Sequence, residues 1–153
     1  MSLTLMSPAF AEGSRIPAKF TREGENLMPP LEWSGVPDGT RSLALVVEDP
    51  DAPSGTFRHC AIFNIPPDRD GLPQSADTGH DNALSYAVND FGNARYDGPE
   101  PPRGHGPHHY HFRLAALDVP TLDVPGGIEA EKVLGEMRRH AIEETELVGV
   151  YER

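Results

Sequence analysis

The chain has 153 residues, 37% of them hydrophobic, which is enough for one substantial core and gives no sign of a second. Its 24 acidic against 13 basic residues leave a formal charge of −11, which opposes nucleic-acid phosphates and the anionic face of a membrane and excludes electrostatically driven binding to either. The single cysteine, Cys60, lies in the apolar run Cys60-Ala61-Ile62-Phe63, so no intrachain disulfide can form and a buried, inert thiol is expected.

No stretch approaches the roughly eighteen apolar residues that span a bilayer, and the N-terminus lacks a basic segment followed by an apolar one. A cytoplasmic protein without a transmembrane segment is expected. Fifteen glycines and 16 prolines divide short apolar runs, the pattern of strands separated by ordered loops, so the expectation is one mainly β domain over residues 1–153.

The first strand is expected over 42–48 and the second over 58–65; both are apolar on both faces, as central strands covered from two sides must be. Between them stands Asp49-Pro50-Asp51-Ala52-Pro53-Ser54-Gly55. Each proline fixes its own φ and restricts the residue before it, so Asp49 and Asp51 sit on a stiff corner. In the second strand, alternation puts His59 on one face with Ala61, Phe63 and Ile65. A short helix is expected near 75–83, and the irregular, proline-braced stretch 69–107 is of the kind that carries function.

Four of the seven histidines then follow within seven residues, at His105, His108, His109 and His111. A third strand over 109–117 separates them: His108, Tyr110, Phe112 and Leu114 share one side, and His109, His111 and Arg113 the other, more polar one. His108 and Tyr110 are thus candidates to enter an apolar-walled pocket, although the same pattern describes a core histidine and tyrosine with satisfied hydrogen bonds. An amphipathic helix is expected last, with Ala130, Val133, Leu134, Met137, Ala141 and Ile142 recurring at the 3.6-residue period.

Taken together, Asp49-Pro50-Asp51-Ala52-Pro53, His59 before Asn64-Ile65-Pro66, Gly98-Pro99, and His108-His109-Tyr110 resemble the phosphatidylethanolamine-binding protein family, also called Raf kinase inhibitor-like proteins, in its bacterial and archaeal branch. Flanking segments extend the resemblance over nearly the whole chain: Ile16-Pro17, Phe20-Thr21, 26–33, Ser34-Gly35-Val36-Pro37 and Leu147-Val148-Gly149-Val150-Tyr151. The resemblance implies an antiparallel β-sheet core flanked by a few helices, with a small pocket for phosphate-type anions at one edge. Carried over residue by residue, it implies ligand-binding roles for Asp49, Asp51, His59, Gly98, Pro99, His108 and Tyr110. It also implies a cis Ala52–Pro53 bond, and it allows a homodimer or a kinase or protease partner, as in some relatives.

Carboxylates in an anion site invite two explanations: they hold a histidine in its charged form, or they accept a hydrogen bond from a protonated phosphate or a head-group amine. The first gives His59 and His108 as donors oriented by Asp49 and Asp51. No catalytic residue, metal or cofactor is expected. Ser54 lacks the Gly-x-Ser-x-Gly elbow of a nucleophile, and neighbouring strand positions send His108 and His109 to opposite faces, which argues against a shared metal.

Overall fold

The computed structural model describes residues 2–77 and 83–153. In chain order the elements are β1 (Thr4–Met6), a single 3-10 turn (Ala18–Phe20), β2 (Leu31–Ser34), β3 (Ser42–Asp49), β4 (Phe57–Ile65), β5 (Gly71–Leu72), β6 (Ser85–Tyr86), β7 (His108–Leu117), α1 (Ala130–His140) and β8 (Ala141–Tyr151). The main antiparallel sheet runs β6–β4–β3–β7–β8, and a smaller one runs β1–β2–β5. The mainly β expectation holds, and the three strands read from the sequence are the three at the centre of the large sheet.

Every residue of β3 is buried, because the sheet is covered on both faces. Leu43, Leu45 and Val47 pack with Leu5, Leu31, Trp33 and Leu72 of the small sheet. Ala44 and Val46, on the opposite face, pack with Val133, Leu134 and Met137 of α1. Those three side chains at about 1.5–3 kcal/mol each outweigh the roughly 1 kcal/mol cost of Gly135 within the helix. Arg138, Arg139 and His140 in the last turn complement the helix dipole.

Two expectations are corrected. The helix ends at His140, and Ala141 and Ile142 open β8: Ala141 pairs with Leu117, and the Asp118 amide donates to the His140 carbonyl, so pairing with β7 captures the chain as the helix stops. Of the short helix expected near 75–83, residues 75–77 form a turn and 78–82 lie outside the described residues. Among the described residues no helix is long and apolar enough to cross a membrane.

Candidate functional site

Antiparallel pairing brings the end of β3 and the starts of β4 and β7 to one edge of the sheet. There they enclose a cavity of about 190 Å³ lined by Asp49, Ala52, Pro53, Phe57, His59, Phe91, Glu100, Pro101, Pro102, His108 and Tyr110. The Asp-Pro corner is the β3–β4 loop. Its turn closes from the Gly55 amide to the Ala52 carbonyl, and Asp49 Oδ1 accepts the Asp51 amide at 2.8 Å. The Ala52–Pro53 bond is trans, against the cis expectation; an Ala-Pro amide prefers trans by about 0.5–1 kcal/mol, and the turn closes without reversing that preference.

His59 reaches the cavity by a device that alternation alone misses. Val47 lies opposite Cys60 and Glu48 opposite Arg58, so His59 is the extra residue of a β-bulge. Cys60 and Ile62 join the core on the small-sheet face while Ala61 and Phe63 face α1. The bulge frees His59 from the α1 face and sets its ring edge-on to Tyr110, centroids 5.3 Å apart at 75°. A second irregularity near Asn64, at φ 57°, returns Ile65 to the small-sheet face. The expected grouping of His59 with Ala61, Phe63 and Ile65 therefore survives only for Ala61 and Phe63.

His108, 1% exposed, is held through Nδ1 by Asp49 Oδ2 at 2.6 Å, and its Nε2 meets His105 Nδ1 at 2.6 Å. Asp51 does not orient either pocket histidine. Its carboxylate is 42% exposed and accepts both the amide and the Nδ1–H of His109, each at 2.8 Å. Burial raises the Asp51 pKa, but the two His109 bonds outweigh it and the net shift is downward. Gly98 and Pro99 also lie outside the lining. The Gly98 amide donates to Asn26 Oδ1, a Cβ at this position would overlap the Phe20 carbonyl oxygen, and the Pro99 carbonyl accepts the Arg22 amide. These two residues clamp the loop to the segment 20–26, and Glu100, Pro101 and Pro102, next along the chain, line the cavity in their place.

Behind His59 sits a residue the sequence did not single out. Asp97 is fully buried, and its carboxylate accepts the side-chain amides of Asn26 (2.9 Å), Asn89 (2.9 Å) and Asn93 (2.8 Å), with Arg95 at 3.2 Å. Burial pushes its pKa up, and the Asn93, Asn89 and Asn26 donors more than reverse that, so the carboxyl stays below its ordinary range. The Asp97 carbonyl accepts His59 Nδ1–H at 2.7 Å, while the Asp97 amide donates to the His59 carbonyl. A carbonyl can only accept, so the Nδ1 proton is fixed and Nε2 is the lone-pair nitrogen of the neutral ring.

Burial lowers the His59 pKa below 6.5, against the raising pull of the Asp97 carbonyl and the Asp49 charge. The expectation that Asp49 or Asp51 orients His59 is corrected, since its Nδ1–H is held by the Asp97 carbonyl. Because the folded ring resists a proton that the unfolded chain takes up, its contribution to stability is present above about pH 6.5 and lost as pH falls through the lowered folded value. The melting temperature is expected to drop between pH 7 and pH 5, and His59→Gln to flatten that drop. An unchanged profile in the variant would contradict the assignment.

Tyr110 completes the floor. Burial, then the Asp49 and Asp51 charges, drive its hydroxyl pKa far above the ordinary value, so it stays a protonated donor. At the rim, Glu100 pairs with Arg22 at 3.5 Å, and the Arg22 guanidinium lies 4.2 Å from the centroid of the Phe91 ring. Phe57 and Phe91 meet edge to face at 4.7 Å and wall off one side. Phe57 was findable as the position two before His59 on the same strand; Phe91 and Glu100 carry no periodic signal. Among the described residues no three His, Cys, Asp or Glu side chains converge as metal ligands.

A family model described as phosphatidylethanolamine-binding protein matches residues 6–152. A UPF0098 protein of Methanothermobacter thermautotrophicus is 46% identical, with 99% of each chain covered. One from Pyrococcus horikoshii is 44% identical over all of this chain and 78% of its own. The crystal structure of E. coli YbcL, described as a new member of the mammalian PEBP family, superposes with a TM-score of 0.94 at 32% identity, covering 100% of this chain and 99% of that one.

Proposed function

We propose, for a chain that belongs to the phosphatidylethanolamine-binding protein family, that the cavity between β3, β4 and β7 binds a small phosphate-type group without turning it over. The observation that carries this reading is the Asp49–His108 pair at 2.6 Å in a cavity that also holds the Tyr110 and His59 rings. Asp49 fixes the proton on Nδ1, so Nε2 is the nitrogen that can meet a ligand oxygen. Tyr110 offers a second, neutral donor. His59 Nε2 accepts, which favours a ligand that brings a proton of its own, such as a phosphate monoanion or a phosphomonoester monoanion.

Size supports a head-group-sized ligand: about 190 Å³ falls below the roughly 300–1,000 Å³ of sites for drug-sized molecules. Binding without turnover is supported by the lining itself. Asp49 and His108 supply the orienting acid and base of a hydrolytic site, but no serine, threonine or cysteine stands among the lining residues to be activated.

Calorimetric or phosphorus NMR titration with inorganic phosphate and with phosphoethanolamine tests the reading. His108→Ala is expected to weaken binding about tenfold or more, the worth of a charge-assisted hydrogen bond, and Tyr110→Phe by a smaller factor. Equal affinity in all three proteins would remove the pocket assignment. Hydrolysis of a phosphate monoester that disappears in His108→Ala would overturn the non-enzymatic part.

A further inference from the structure

His105 stands on an exposed loop between Gly104 and Gly106, which have φ of 75° and 88°. At neither glycine would a Cβ meet anything within 4 Å, so no packing pins the two positions that flank the histidine. The loop is fastened at its base: the Gly104 amide donates to the Arg153 carbonyl, the His105 amide to the Pro102 carbonyl, and Arg153 Nε to the Pro101 carbonyl. Its imidazole is held by His108, with Nδ1 2.6 Å from His108 Nε2 and ring centroids 4.9 Å apart. His108 is buried and its other nitrogen is committed to Asp49, so both of its ring nitrogens are occupied, one of them by an exposed side chain.

A 2.6 Å contact between two ring nitrogens holds one proton, with one ring donating and the other accepting. An oxyanion that takes a hydrogen bond from His108 Nε2 needs the site His105 fills. We infer that His105 is a built-in competitor for the ligand, a latch that occupies His108 Nε2 and yields to a charged oxygen. The inference rests on the proposed role of His108 as ligand donor. It makes His105 a selectivity residue: hydrogen bonds to an ionised acceptor are about twice as strong as neutral ones, so a phosphate oxygen displaces the imidazole where an alcohol or amide oxygen does not.

Affinity for inorganic phosphate, measured by calorimetry on wild type, His105→Ala, His108→Ala and His109→Ala, tests the latch. Removing a competing contact multiplies apparent affinity by the inverse of the fraction of time the site was open. His105→Ala is therefore expected to bind about 2- to 12-fold more tightly, the span of one net hydrogen bond, and His109→Ala to match wild type. Nitrogen NMR of the wild-type rings is expected to show His105 Nδ1 released as phosphate saturates. An unchanged or weaker His105→Ala, with His108→Ala still losing affinity, overturns the latch alone. If His108→Ala keeps wild-type affinity, or no protein binds phosphate, the pocket reading falls and the latch with it.

Discussion

Replacing Asp97 with alanine is expected to cost about 3–5 kcal/mol of stability, the usual penalty for removing one partner of a buried charged cluster. The loss arises less from the missing carboxylate than from what stays behind: the half-buried amides of Asn26 and Asn93 would lose their acceptor, and that of Asn89 would keep only the His59 and Arg95 carbonyls. At roughly 2–4 °C per kcal/mol for a chain of this size, the melting temperature is expected to fall by about 10 °C. The comparison is Asp51→Ala, which removes an exposed pair with His109 and is expected to cost less than about 1 kcal/mol. The lowered Asp97 pKa adds a pH signature: its contribution is present above the unfolded value of 3.8 and is lost as pH falls through the folded one, so the wild type is expected to converge on the variant in strong acid. Similar losses for the two substitutions, read by thermal and urea unfolding, would remove Asp97 from its place as the hub behind His59.

The second large effect concerns the two acids of the lining, for which opposite signs are expected. If the carboxylates acted only through their field, removing either would strengthen anion binding. Glu100 is exposed at the rim and answers to Arg22, so Glu100→Gln is expected to raise phosphate affinity by a small factor. Asp49 is buried and bound to His108. Asp49→Asn keeps an oxygen for the Asp51 amide but turns a neutral amide towards Nδ1, and His108 loses the carboxylate that holds its Nδ1 proton and orients its ring. The ring that donates to the ligand is then no longer held in place, and phosphate affinity is expected to drop about tenfold. Phosphate affinities that shift in the same direction in both variants would contradict the division of roles.

What could be read in the sequence follows from which signals are periodic. The runs that became β3 and β4 are apolar enough on both faces to announce central strands, and in the run that became β7 alternation placed His108 and Tyr110 on one face and His109 on the other, as the structure has them. The stiff corner after β3 led to Asp49. The bulge at His59 is an insertion of one residue that changes no composition, so alternation carried through it put His59 with the α1-facing residues. The end of α1 was overrun because Ala141 and Ile142 continue its apolar stripe, and only pairing with β7 decides where the helix stops. The short strands of the second sheet, two to four residues each, are too brief to carry a period. The ligand-binding role of Gly98-Pro99 came from the resemblance alone; here the bare glycine backbone admits the Phe20 carbonyl instead. Asp97 left no mark, since a buried acid held by three asparagines from distant positions is a tertiary fact.

The most direct test of the pocket is a crystal structure of the chain grown with saturating phosphoethanolamine. The expected result is the phosphate group between β3, β4 and β7, within hydrogen-bond distance of His108 Nε2 and the Tyr110 hydroxyl, with His59 Nδ1 still on the Asp97 carbonyl. A phosphate group bound elsewhere on the chain while this cavity stays unfilled would contradict the proposed site.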